Sequence, residues 1–164
     1  MIEEKNSYWK DLYNTIVGQW ANRIPACARM TIANARESME IKYDNIGWVL
    51  VKDRKVLVNR SFGKDSFFVP GGKREGDELD HQTLIREMNE ELTVDILQDS
   101  IQHLRTFEAQ AHGKPEGTFI RLACYTAEFN GTIAPANEIE EVGWFSYAHK
   151  ANVSPVSQLV FDHL

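Results

Sequence analysis

The stretch from Gly71 to Val94 constrains this chain more than any other. It opens on the turn-forming Gly71, Gly72 and Gly76, and from Asp80 it continues to Val94 without another Gly or Pro. Asp80 is a favourable N-cap, and the segment after it predicts a helix. At about 100° per residue, Leu84, Ile85, Met88 and Leu92 share one arc, the face to be buried. Glu87, Glu90 and Glu91, spaced i, i+3, i+4, occupy the adjacent arc. Three carboxylates therefore meet at the rim of a core.

Like charges placed this way repel by about a few tenths of a kcal/mol per exposed pair, and by more when partly buried. The arrangement asks for a compensating cation. A hard divalent ion suits it, because Mg²⁺ takes oxygen ligands, keeps waters, and is held by one or two carboxylates plus substrate phosphates. The alternative is a solvated acidic face with Arg86 and Glu90 as an i, i+4 ion pair, the ordinary state of an acidic helix. The glycines upstream favour the cation.

Gly72, five residues, Glu78, seven residues, then Arg86-Glu87, an apolar residue, any residue and Glu90-Glu91 resembles the Nudix box of the Nudix hydrolases. The family usually has Gly where this chain has Thr93, a difference that bears on the helix exit and leaves every carboxylate in place. The resemblance covers about residues 39 to 164. It implies an α/β fold, the family's α/β/α sandwich around a mixed sheet, here with an extra N-terminal helix.

Carried onto matching positions, the resemblance implies that Glu87, Glu90 and Glu91 bind metal, with the carbonyl of Gly71 as an additional ligand. Mg²⁺ is the expected cofactor and Mn²⁺ the alternative. It also implies that Glu78 and Arg86 form a structural ion pair tying loop to helix, in keeping with an arginine that positions carboxylates rather than reacting. The implied reaction is hydrolysis of a phosphoanhydride in a nucleoside diphosphate linked to another moiety. The catalytic candidates are Glu91, Glu87 and Glu141. In the family the general base comes from the box or from a later loop, so Glu91 ranks first and Glu141, within Glu138-Ile139-Glu140-Glu141, second.

Nudix subfamilies for ADP-ribose or dinucleoside polyphosphates often carry a Pro or Tyr at a set distance beyond the box, where this chain has Gln110 and His112. By elimination it looks most like the MutT-type enzymes that convert a nucleoside triphosphate to monophosphate and pyrophosphate. The alternatives are a nucleotide-sugar or ADP-ribose pyrophosphatase and a non-catalytic nucleotide-binding module. A pure binding module has no physical need of three repelling glutamates. The base is expected between Phe67 or Phe68 and the segment 152–158, with Phe68 stacking and Gln158, Ser154 or Ser157 at its edge. An aromatic ring at Phe68, where an amide would read oxidised guanine, weakens that specificity. Lys73 is expected to meet a phosphate, whereas His112 and Lys114 sit in a Gly- and Pro-containing loop that reads as surface.

The whole chain, 164 residues, divides into a helical extension over residues 1–38 and a domain over 39–164. In the extension, Tyr8, Trp9, Leu12, Ile16 and Trp20 predict an amphipathic helix ended by Pro25, packed on the domain or on the mate of a homodimer. After it come strands around Ile46–Val51, Val56–Val58, Phe67–Val69, Ile101–Phe107, Thr118–Phe129 and Val142–Phe145, with a closing helix from Pro155. A net charge of -6 argues against nucleic acid as a partner and for a small nucleotide substrate whose charge is met by metal and local bases. Cys27 and Cys124, far apart, fit a reducing cytoplasm. No apolar run approaches the length of a membrane span and no secretory leader is visible, so no membrane is expected.

Overall fold

A computed structural model describes residues 40–164. The helix expected over Tyr8 to Trp20 and the boundary at Met39 lie outside the described residues. In chain order the elements are β1 (Glu40–Trp48), β2 (Val51–Lys52), β3 (Lys55–Ser61), β4 (Gly71–Lys73), α1 (Asp80–Leu92), β5 (Asp95–Ile96), β6 (Gln102–Gln110), β7 (Thr118–Thr126), β8 (Phe129–Asn130), β9 (Ile139–Phe145) and α2 (Pro155–His163).

The largest sheet runs β4-β1-β7-β6, with β1 and β7 parallel and the outer pairs antiparallel. A parallel pair needs a long crossover, and here the chain lays down β2, β3 and α1 between its two strands. The mixed sheet is therefore as expected. β2-β3-β9 form a second, antiparallel sheet, and β5 pairs with β8.

The apolar run Ile46 to Val51, read from the sequence as one strand, is divided between the two sheets. The Val49 N–H donates to the Tyr125 carbonyl, whereas the Leu50 carbonyl accepts from Leu57 N–H. The chain changes sheet between these residues. β2 and β3 then turn through Asp53 and Arg54, both at positive φ (50° and 60°), the backbone pair that a two-residue hairpin favours.

Side chains alternate across β1 and β7. Ile46, Trp48 and Ala123 pack with Leu84, Met88 and Leu92 of α1, and Leu122 and Cys124 pack with Val156 and Val160 of α2. One helix thus lies on each face, giving the α/β/α sandwich. Leu84, Met88 and Leu92 are fully buried, each contributing about 1.5–3 kcal/mol by leaving water. Ile85 packs at the edge of the same cluster.

Both ends of α1 differ from a simple reading. Asp80 is the first helical residue, and its carboxylate is held by Arg74 Nε at 2.8 Å and the Tyr125 hydroxyl at 2.5 Å. With Asp80 so engaged, Gln82 Oε1 reaches back to accept from the Leu79 N–H at 2.8 Å. At the other end Thr93 adopts the left-handed conformation (φ 58°, ψ 29°), and its N–H bonds the Asn89 carbonyl. A threonine makes the turn usually given to glycine, at a cost of about 1–2 kcal/mol, and its hydroxyl donates to the Thr132 carbonyl at 3.2 Å.

Candidate active site

The site begins at the glycines after Pro70. The Pro70 carbonyl accepts from Trp48 N–H, and Gly71 sits opposite Gly47 on β1. Gly71 thereby points its own N–H away from the sheet, and this group donates to Glu91 Oε2 at 3.0 Å. Its φ of +146° is open to glycine alone, and a Cβ there would collide with the Ile46 carbonyl. Gly72 is required for another reason: a Cβ would collide with the Glu87 carboxylate. One glycine makes room for backbone and the next makes room for a carboxylate.

Glu91 is only 6 % exposed. Besides Gly71, the Asn59 Nδ2 donates to its Oε2 at 2.9 Å. Burial pushes its carboxyl up to about 8, the neighbouring Glu87 and Glu138 charges adding to the effect against the pull of the Gly71 and Asn59 donors. Glu87 is likewise raised by burial, against the opposing pull of Arg86. Glu90, half exposed, lies on the solvent side.

Arg86 organises the acidic face. Its Nε and Nη2 take the two oxygens of Glu78, both at 2.8 Å, its Nη1 donates to Glu87 Oε1 at 3.0 Å and Glu90 Oε2 at 3.2 Å, and Nη2 also reaches the Lys73 carbonyl at 2.9 Å. Glu78 in turn accepts from the Glu75 N–H and the Thr83 hydroxyl. A two-pronged pair of this kind fixes geometry as well as charge.

Glu91 opens onto a cavity of about 390 Å³, which Glu87 and Glu90 do not line. Gly71, Asn59, Glu91 and Glu138 line it at the carboxylates, Phe68, Val69, Ile120, Leu122 and Val156 supply apolar wall, and Lys73 also lines it. Phe68 and Lys73, the residues expected to meet base and phosphate, thus line one cavity with Glu91. Gln158 does not line the cavity: its Nε2 donates to the Val153 carbonyl at 2.9 Å. Ser157, one residue earlier, does line it.

Of the acidic residues at the entry to β9, Glu138, just before the strand, lines the cavity and Glu141, within it, does not. Glu141 lies across from Arg60 on β3 and pairs with its Nη2 at 2.9 Å, while Glu140 takes Nη1. Glu138 is brought to the site because its loop satisfies the last carbonyls of α1: Ala136 N–H bonds Glu91 O, and Asn137 Nδ2 bonds Glu90 O at 2.8 Å. Asn59 escaped the sequence reading. The signal was a polar residue ending the apolar run Val56-Leu57-Val58, on a strand where burial of an amide demands a partner.

Among the described residues no three acidic, His or Cys side chains converge closely enough to enclose a cation by themselves. The donors that are present fit a hard divalent ion completing its shell with water and substrate oxygens. Glu87 and Glu91 could hold it, with the Gly71 carbonyl and Glu90 beside them. The observation favouring a cation is the shortage of positive charge: burial raises both Glu87 and Glu91, Arg86 opposes the rise at Glu87, and only the neutral Gly71 and Asn59 donors oppose it at Glu91.

A NUDIX domain model matches residues 43–158. Among curated proteins none matches the chain. Solved structures with the same fold include a MutT NUDIX hydrolase from Burkholderia pseudomallei (19 % identity, TM-score 0.60, covering 74 % of this chain and 97 % of that one). A NUDIX hydrolase from Nitrosomonas europaea aligns at 18 % identity and TM-score 0.59, over 74 % and 88 % of the two chains. The E. coli ORF135 protein aligns at 24 % identity and TM-score 0.55, over 77 % and 89 %. No helix among the described residues is long and apolar enough to cross a membrane.

Proposed function

Because this chain belongs to the Nudix hydrolases, enzymes of nucleoside diphosphate derivatives that use divalent cations, we propose that it converts a nucleoside triphosphate to its monophosphate and pyrophosphate with Mg²⁺. The observation that carries this reading is Glu91, buried at the carboxylate end of the cavity and held by Gly71 and Asn59, with apolar wall from Phe68 and Val156 in the same cavity. Such a cavity takes a base and its phosphates together, and its volume suits a small molecule.

Glu87, Glu90, Glu91 and the Gly71 carbonyl would hold a divalent ion, which would supply polarisation of the phosphoryl oxygens and neutralise charge on the leaving group. The chain's own residues do the rest. Arg86 and Glu78 keep the acidic face in register with the glycine loop, and Phe68 stacks on the base. Glu91 is engaged by Gly71 and Asn59, and Glu141 by Arg60. Of the two cavity carboxylates, Glu91 is held by Asn59 and Gly71 whereas no side-chain donor among the described residues holds Glu138, so Glu138 takes the proton of the attacking water.

The test is pyrophosphate and phosphate release from a panel of normal and oxidised nucleoside triphosphates, nucleotide sugars and ADP-ribose, with Mg²⁺ and with chelator. Metal-dependent pyrophosphate release from triphosphates is the expected result. Turnover confined to nucleotide sugars or ADP-ribose would overturn the substrate, and calorimetric binding of nucleotide without turnover would overturn the catalytic reading.

A further inference from the structure

Lys73 and Lys114 stand on the same aromatic ring. Lys73 Nζ lies 4.9 Å from the Tyr43 ring centroid and Lys114 Nζ 5.6 Å from it, and all three side chains line the cavity. Arg60, Arg74, Arg86 and Lys150 each carry a carboxylate partner. Among the described residues no carboxylate lies within ion-pair distance of Lys73 or Lys114. A cation over a ring gains only about 0.5–1 kcal/mol at an exposed site, little by itself to hold two ammoniums at one ring.

Both lysines are presented by braced backbone. The Lys73 carbonyl accepts from Arg86 Nη2, and the residue pairs with Asn45 across β4 and β1. In the loop carrying Lys114, one amide does the bracing: Gln110 Nε2 donates to the Pro115 carbonyl at 2.9 Å and its Oε1 accepts from the Gly117 N–H at 3.0 Å. His112, in the same loop, is occupied by Asp65 at 2.8 Å. The two ammoniums are left as the donors of that loop and strand, in a protein whose net charge is -6.

We propose that Lys73, Tyr43 and Lys114 form an anion site for a phosphate group additional to those at the carboxylate cluster. The shared chemistry is a compact dianion, which ammonium groups meet as point charges. It comes either from the terminal phosphate of a triphosphate or from a phosphate monoester elsewhere on the substrate. The occupant, though not the site, rests on the nucleotide-hydrolase reading above.

The test separates the two. With the full chain in chelator, calorimetry with inorganic pyrophosphate reads the site without turnover. Lys114→Gln weakens binding roughly tenfold or more, Lys114→Arg restores it, and Glu91→Gln does not weaken it. Unchanged affinity in Lys114→Gln overturns the anion site. With Mg²⁺, Lys114→Gln raises KM for a nucleoside triphosphate more than for the diphosphate if the terminal phosphate is the occupant. A KM effect confined to substrates bearing a phosphate monoester assigns the second source, and equal effects on all substrates overturn the additional-phosphate role. Pyrophosphate binding lost in Lys114→Gln, with no nucleotide turned over by the native chain, would keep the site and overturn the proposed function alone.

Discussion

Arg86 holds Glu78 in a two-pronged ion pair, Nε to Oε1 and Nη2 to Oε2, both at 2.8 Å, while the same Nη2 reaches the Lys73 carbonyl at 2.9 Å. One guanidinium therefore ties the glycine loop to α1. A lysine keeps the charge but cannot span both. Arg86→Lys is expected to lower Tm and to cut kcat by roughly tenfold or more through misplaced carboxylates. Steady-state kinetics beside a thermal melt checks both.

Gly71→Ala and Gly72→Ala should fail differently. At Gly71 the added methyl meets the Ile46 carbonyl at a φ that alanine avoids, so the backbone itself must shift. That variant is expected to lose about 2 kcal/mol or more of stability. At Gly72 the methyl meets the end of a flexible side chain, Glu87. The fold survives, and turnover falls roughly 10²-fold as Glu87 is displaced. Denaturant midpoints and activity, measured side by side, separate the two outcomes.

Glu91→Gln should cut turnover by roughly 10² to 10⁴. Its effect on stability depends on pH. The folded carboxyl, raised by burial to about 8 from an ordinary 4.5, favours the protonated form. Its contribution is fully present below 4.5 and is lost as pH rises through about 8. In chelator the always-neutral Gln variant should match the native chain near the low end of that window and melt higher above its upper end. Mg²⁺ should raise the native Tm at the upper end and leave the variant's nearly unmoved. A variant melting lower at every pH would contradict this account.

Glu78 has the opposite sign. Hydrogen bonds from Arg86, followed by the Glu75 N–H, hold its carboxyl down to about 2 from an ordinary 4.5. Its contribution is present above 4.5 and is lost as pH falls through that window toward 2. Glu78→Gln is expected to flatten the acid limb of a Tm-versus-pH curve between those values, and an unaltered limb would contradict the pairing.

Thr93→Gly tests the helix exit. Glycine relieves the left-handed strain at φ 58° but adds unfolded-state entropy and removes the hydroxyl bond to Thr132. The expected net gain is within about 1 kcal/mol, read from urea midpoints, with turnover unchanged.

The glycines and the carboxylate spacing were legible because they are local. Leu84, Met88 and Leu92 on one arc and Glu87, Glu90 and Glu91 on the next follow from helical pitch, which residues within one turn impose on one another. The same holds for the hairpin at Asp53-Arg54. The mixed sheet and the helix on each face followed from the family resemblance together with the order of strands and helices.

Tertiary structure alone decided what depends on register between distant segments. Nothing within a few residues of Glu138 and Glu141 distinguishes them. Pairing of β3 with β9 gives Glu141 to Arg60, while capping of α1 by the 134–137 loop brings Glu138 to the cavity. Asn59 meets Glu91 across 32 positions of sequence, Gln158 turns to the Val153 carbonyl instead of the cavity, and Lys73 and Lys114 share the Tyr43 ring only because β1 carries that ring between its neighbours β4 and β7. Helical periodicity is written into neighbouring side chains, whereas the partner of a buried polar group is chosen by the packing of whole elements, which sets the sheet register and the closing of loops over it.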